Sequence, residues 1–174
     1  ECYMDISNQQ LAKILKNVAT AYTIKKAGNI FQIRAYENAA SSIEHSTAEV
    51  QDLWEEGKLS EIPALGAKLQ EYLNELFTKG KVKHFEEVEK GIPEIVFDLL
   101  DIPGVGPKTA QDIASLGVKS LEDLRKKIKS GELINKGFSA KIAQKIILGF
   151  HSLDQRDNRK LLPYAVTQAD KILV

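Results

Sequence analysis

The strongest constraint on the fold is a seven-residue punctuation that occurs twice. Ile62-Pro63-Ala64-Leu65-Gly66-Ala67-Lys68 and Ile102-Pro103-Gly104-Val105-Gly106-Pro107-Lys108 align without gaps forty residues apart. In each, proline disfavours helical backbone at the residue before it and so ends the incoming helix. Glycine then permits a tight turn and leaves room for another backbone to approach. A helical apolar stripe follows each copy, so one supersecondary unit is used twice. A weaker third copy runs from Gly137 to Ile146, over Gly104 to Ile113, with Ser139 in place of the second glycine.

The remainder of the chain has the same period. Leu11, Ile14, Leu15 and Val18 begin a first helix behind a Ser7/Gln10 capping box, with its end near Gly28. Phe31, Ala35, Ala39 and Ile43 mark a second helix. Ser46 with Glu49 predicts another capping box, ahead of Val50, Leu53 and Trp54 and a stop at Gly57. Leu69, Tyr72, Leu73, Leu76 and Phe77 form a stripe that ends at Gly80, and a short helix around Phe85 and Val88 ends at Gly91. Pro93 is placed for the first turn of a helix carrying Ile95, Val96, Leu99 and Leu100. Ser120 caps Leu121, Leu124 and Ile128, and Ile142, Ile146, Ile147 and Phe150 mark a further helix. No segment alternates as a strand does, so the fold class is all-α. Trp54 and Phe77 are expected in the core, and Tyr72 belongs to the Leu69 and Leu76 stripe.

Composition excludes several classes. One cysteine, Cys2, rules out an internal disulfide and a thiolate zinc site. His45, His84 and His151 are scattered too widely to suggest a metal or a triad. No apolar run reaches the ~20 residues of a membrane span, which makes a soluble, cytoplasmic monomer with no small-molecule substrate the expectation. Met4 suggests that Glu1, Cys2 and Tyr3 precede a natural start, and the apolar ending looks like a cut through a larger protein. The 24 basic and 24 acidic residues cancel, unlike the basic excess of most nucleic-acid binders. The cancellation is uneven: residues 1–90 hold 11 Lys/Arg against 14 Asp/Glu, and the rest holds 13 against 10.

A turn of this kind opens directly into a helix N-terminus. Its free N–H groups and the helix dipole can receive a phosphate oxygen, and the lysine two residues after the second glycine can add a charge. The candidate contacts are Ala64, Leu65, Gly66 and Lys68 in the first turn, and Gly104, Val105, Gly106, Lys108 and Thr109 in the second. Lys141 holds the same place in the third copy, which reads as a packing turn. Contacts of this type touch phosphates and not base edges, so the expected partner is the DNA backbone, bound without sequence preference and in a salt-sensitive way.

The two turns, with Asn29 to Ala40 upstream and Gly137-Phe138 and Ile147-Leu148-Gly149-Phe150 downstream, resemble the N-terminal part of bacterial or archaeal family X DNA polymerases. The resemblance implies two small helical domains, each with a helix-hairpin-helix turn. Residues 1–90 would be a lyase-type domain holding the 5′ side of a gap, and 91–155 a subdomain gripping the neighbouring duplex, in the service of DNA repair. Residues 156–174 would begin the connection to a polymerase palm beyond Val174, so divalent-metal chemistry is not expected within this chain. Asp154 and Asp157 read as part of a solvated ion-pair run with Arg156 and Arg159. Related turns hold a Na+ or K+ ion between carbonyls and a phosphate, which would fall on Ser60, Ile62 and Leu65, and on Leu100, Ile102 and Val105. A lyase would need a lysine amine to attack the sugar aldehyde, and the corresponding position is Tyr72, whose phenol cannot form the imine. Tyr36, Lys68 and Arg34 remain as pieces of a 5′-phosphate pocket, while Phe31, Gln32 and His84 depart from the pattern. Two alternatives stay open: a residual 5′-deoxyribose-phosphate lyase relying on Lys68, and a helical scaffold for protein partners.

Overall fold

A computed structural model describes residues 6–152. Among the described residues every regular element is helical. The chain divides between Ile92 and Pro93 into two compact units.

The first unit contains α1 (Asn8–Lys25), α2 (Ile30–Glu44), α3 (Val50–Glu55), a 3-10 turn at Leu59–Glu61, α4 (Ala67–Lys79) and α5 (Lys83–Glu89). The Ser7/Gln10 capping box forms in both directions, the Gln10 amide donating to Ser7 Oγ at 3.3 Å and the Ser7 amide to Gln10 Oε1 at 2.9 Å. The helix ends earlier than the glycine suggests, at Lys25, with Lys26 in the left-handed region at φ 50°. Gly28 answers a different need: a Cβ there would lie 2.9 Å from the Tyr22 ring.

The second predicted capping box does not form. Ser46 bonds instead to Ala48, and Glu49 is an N-cap without a side-chain cap bond. The orphan amide of Val50 is taken by Asn8, whose Oδ1 accepts at 2.8 Å while its Nδ2 donates to the Ala48 carbonyl at 2.9 Å. One asparagine at the start of α1 therefore ties down the start of α3, a long-range solution that local spacing cannot reveal.

Helices this short are marginal alone, so their stability comes from the shared apolar interior. Leu11, Leu15 and Val18 of α1, Ala39 and Ile43 of α2, and Leu73 and Phe77 of α4 are fully enclosed. Burial of each larger side chain contributes about 1.5–3 kcal/mol. Trp54 is half-buried, stacked on Phe77 at 5.0 Å with Nε1 donating to Asn74.

The second unit contains α6 (Glu94–Leu99), α7 (Pro107–Ser115), α8 (Leu121–Lys129), α9 (Glu132–Asn135) and a further helix, α10, followed from residue 140 to 152. Pro93 is the N-cap of α6, one place earlier than its fixed φ suggested. Ser120 caps α8 by accepting the Asp123 amide at 3.1 Å. Val96, Leu99, Ile113, Leu124, Leu133 and Ile146 fill the interior.

Candidate functional site

The two punctuations fold into the same turn, with four backbone bonds in common. Ile62 and Ile102 donate to Leu59 and Leu99, both at 3.2 Å, and Leu65 and Val105 donate back to Ile62 and Ile102 at 3.3 and 3.0 Å. Gly66 and Gly106 then cap α4 and α7, accepting from Gln70 at 3.1 Å and Ala110 at 2.9 Å. Ile62, Leu65, Ile102 and Val105 are buried, while Pro63, Ala64, Gly66, Pro103, Gly104 and Gly106 are exposed. The apolar pair pins the turn to its unit, and the intervening backbone is held at the surface.

The two glycine positions of the motif differ in kind. The first needs a left-handed residue, with φ 86° at Gly104 and φ 63° at Ala64. The second does not: Gly66 and Gly106 have ordinary φ values of −63° and −95°, and a Cβ on either would meet nothing within 4 Å. Neither local backbone nor internal packing calls for glycine there. What it does is leave the first-turn amides without a side-chain acceptor, whereas α1, α2 and α8 are capped by Ser7, Asn29 and Ser120.

The third copy keeps the left-handed glycine, Gly137 at φ 88°, and Ser139 accepts the Ala143 amide at 3.0 Å. Its Phe138 amide, however, runs to Leu133 at 3.0 Å with Gly137 bonded to Ile134, a helix-terminating pattern instead of the three-residue bond of the other two.

The hairpin lysines have unequal surroundings. Lys68 lies 2.6 Å from Glu71 Oε2, and its ammonium stands 5.1 Å from the Tyr72 ring centroid. The hydrogen bond and charge of Glu71 raise its pKa above the ordinary lysine value. That keeps the amine protonated and lowers its nucleophilicity. Lys108 and Thr109 follow Gly106 as the second and third residues of α7, and Lys108 has no carboxylate within ion-pair distance among the described residues. The carbonyls differ as well. Leu65 accepts the Gln70 side-chain amide at 2.8 Å, whereas the residue corresponding to Gln70 in the second hairpin is Ala110. Gln70 escapes sequence reading because its role depends on the turn's geometry.

Around Tyr72 the first unit assembles an aromatic cluster. Tyr72 is half-buried and stacks on His84 at 4.9 Å and 7°, with Phe85 edge-on at 5.2 Å. His84 Nε2 lies 2.7 Å from the Tyr22 hydroxyl, and the Tyr22 and Tyr36 rings meet at 5.8 Å between centroids. Burial, with Tyr22 and Tyr72 alongside, pushes the Tyr36 phenol well above its ordinary value. Tyr36 is only 3% exposed and meets the cluster from the core side, whereas Arg34 and Phe31 are exposed on α2. Tyr36, Tyr72 and His84 thus form one cluster with Tyr22, a residue that carries no motif signal, and Lys68 reaches that cluster only at the Tyr72 ring.

Among the described residues there is no group of three or more His, Cys, Asp or Glu able to hold a metal, and no helix long and apolar enough to cross a membrane. Residues 6–82 match the Helix-hairpin-helix domain family and residues 96–152 the SAM-like Helix-hairpin-helix tandem. The chain is 26% identical over 166 residues to the DNA polymerase/3'-5' exonuclease PolX of Bacillus subtilis (strain 168), covering 94% of this chain and 28% of that relative. Two helix-hairpin-helix matches that follow the repeated turn, and a likeness along nearly the whole chain, support the resemblance to the N-terminal region of a family X DNA polymerase.

Proposed function

We propose that the chain binds DNA without reading sequence, through phosphate oxygens received at the first-turn amides of α7 and, more weakly, of α4. The observation that carries this reading is the second glycine of each hairpin. Gly66 and Gly106 serve no internal packing or backbone need, yet they leave exposed amides open at a positive helix end. The DNA polymerase relative supports the choice of a nucleic acid over a protein partner.

The second hairpin is the stronger grip. Lys108 is available to add its charge, and the unit around it lies in the basic half of the chain. Lys68 is engaged by Glu71 and Tyr72, in the acidic half. A monovalent cation fits the second turn better for a related reason. The carbonyls of Leu100, Ile102 and Val105 would hold it there and lend it to a phosphate, whereas in the set formed by Ser60, Ile62 and Leu65 the Leu65 oxygen already accepts from Gln70. Gapped or nicked duplex is the preferred substrate in this reading, with repair synthesis the process served.

The test is binding of gapped and intact duplex by fluorescence anisotropy across a salt series. Lys108→Glu should weaken binding and flatten the salt dependence by about two phosphate contacts, one from the charge removed and one from the charge introduced. Unchanged affinity at low salt would remove the second hairpin from the interface.

A further inference from the structure

Glycine inside a helix is unfavourable relative to alanine, so a buried glycine in mid-helix asks for a reason. Gly149 lies within α10 and is buried. A Cβ built there would stand 2.5 Å from Ile102 Cγ2, 3.0 Å from the Pro103 carbonyl oxygen and 3.4 Å from Pro103 Cδ. These atoms belong to the second hairpin itself. The other described glycine with a short contact, Gly28, faces the side chain of Tyr22. Gly149 faces backbone as well as side chain, which cannot step aside without moving the turn.

We propose that Gly149 is a positioning residue for the second hairpin: α10 rests on Ile102 and Pro103 through it, and this contact fixes the orientation of the phosphate-receiving amides. The inference rests on the DNA-binding reading of that hairpin. Ile102 is 1% exposed and its backbone is bonded at both ends, to the Leu99 carbonyl and from the Val105 amide, so relief of the 2.5 Å contact at its Cγ2 has to move the turn that carries it. The crowded Pro103 carbonyl moves with it. It shares a peptide plane with the Gly104 amide, and Gly104, at φ 86°, is the joint on which the turn pivots. Rotation of that plane swings Val105 and Gly106 away from the line of the α7 axis. The third copy of the motif gains a purpose from this. Gly137 ends α9 and directs the chain into α10, whose thirteenth residue past that turn, Phe150, sits beside the brace. This copy keeps the left-handed glycine that aims the helix and replaces the glycine that would open its amides to a ligand with Ser139.

The experiment uses the whole chain, labelled duplex DNA and a salt series, with amide NMR shifts of Val105 and Gly106. For Gly149→Ala, affinity at low salt should fall about fivefold or more, and the slope of log K against log salt should become shallower by about one. The two amide shifts should move in the free protein. A purely structural role would lower only the folded fraction, leaving the slope and the shifts of the folded species unchanged, and that result overturns the proposal. If Gly149→Ala does not fold, Gly149→Ala/Ile102→Ala, which vacates the Cγ2 position, is compared with Ile102→Ala alone: a shallower slope in the pair supports positioning through Pro103, and equal slopes refute it. Lys108→Ala separates the two levels. If it leaves the slope unchanged, the DNA-binding reading of the hairpin fails. If it flattens the slope while Gly149→Ala does not, the positioning role alone fails.

Discussion

Replacing Gly106 with serine should separate folding from binding in the second hairpin. Gly106 occupies the N-cap of α7 at φ −95° and ψ 175°, a conformation any residue adopts, and a Cβ there meets nothing within 4 Å. Serine is a better N-cap than glycine by a few tenths of a kcal/mol, because its hydroxyl accepts an amide two or three residues on. In Gly106→Ser those amides belong to Lys108 and Thr109, since Pro107 has no N–H. Stability in urea should therefore hold or rise by up to about 0.5 kcal/mol. The same hydroxyl, however, takes the donors offered to phosphate. Loss of one hydrogen bond to a charged acceptor is worth about 1.5–3 kcal/mol, so DNA affinity should drop by roughly tenfold or more, and the salt slope should fall by about one. Anisotropy titrations between 25 and 200 mM salt, roughly the range over which such contacts weaken steeply, would measure both. A variant that folds as well as the parent and binds with the parent's affinity and slope would refute the idea that these amides meet a phosphate.

Four further outcomes follow from other parts of the molecule. Ala64, exposed and left-handed at φ 63°, should gain about 0.5–1 kcal/mol on replacement by glycine, whereas Gly104→Ala should lose a similar amount; opposite signs in paired urea melts are the check. Asn8→Ala removes the acceptor of the Val50 amide and the donor to Ala48, and thermal melting should report a loss of about 1–2 kcal/mol. Borohydride treatment on incised abasic DNA should trap no adduct, because Tyr72 cannot form an imine and Lys68 is held protonated by Glu71; a trapped species mapped to Lys68 would contradict this. The Asp123 carboxyl, held below its ordinary range by the Lys119 amide and by Lys127, contributes stability above the unfolded carboxylate pKa that disappears as pH falls through the lower folded value, so Asp123→Asn should flatten that acid limb in pH-dependent melts.

The sequence made the local grammar readable and hid the long-range exchanges. Ser7 with Gln10 and Ser120 with Asp123 are visible because both partners lie within one helical turn, and Ile62 to Lys68 and Ile102 to Lys108 because the repeat aligns. Ser46 with Glu49 has the same spacing as a capping box, but Asn8, over forty positions away, is a better acceptor once α1 and α3 meet, and the tertiary contact wins. Gly28 reads as a helix stop and proves to be clearance for Tyr22. The candidate contacts were legible as residue types, but the difference between Gly104 and Gly106 was not. One is demanded by φ and the other by nothing inside the protein, and only backbone angles distinguish them.

The groups around each turn are what would make two hairpins of the same geometry grip DNA unequally in the proposed reading. A phosphate site works by offering donors and charge that the protein has not already used, since any group satisfied internally must first be released. In the first unit the surplus has been consumed. Lys68 is paired with Glu71, Leu65 accepts from Gln70, and the Tyr22 hydroxyl lies 2.7 Å from His84 Nε2, with the His84 ring stacked on Tyr72. In the second hairpin Gly106, Lys108 and Thr109 face solvent or its edge with Ala110 where Gln70 would be. The first hairpin keeps open donors only in its backbone, at the amides of Ala64, Gly66, Ala67 and Lys68. Its contribution to binding should accordingly be small and carried by backbone, while that of the second hairpin should depend on both backbone and charge.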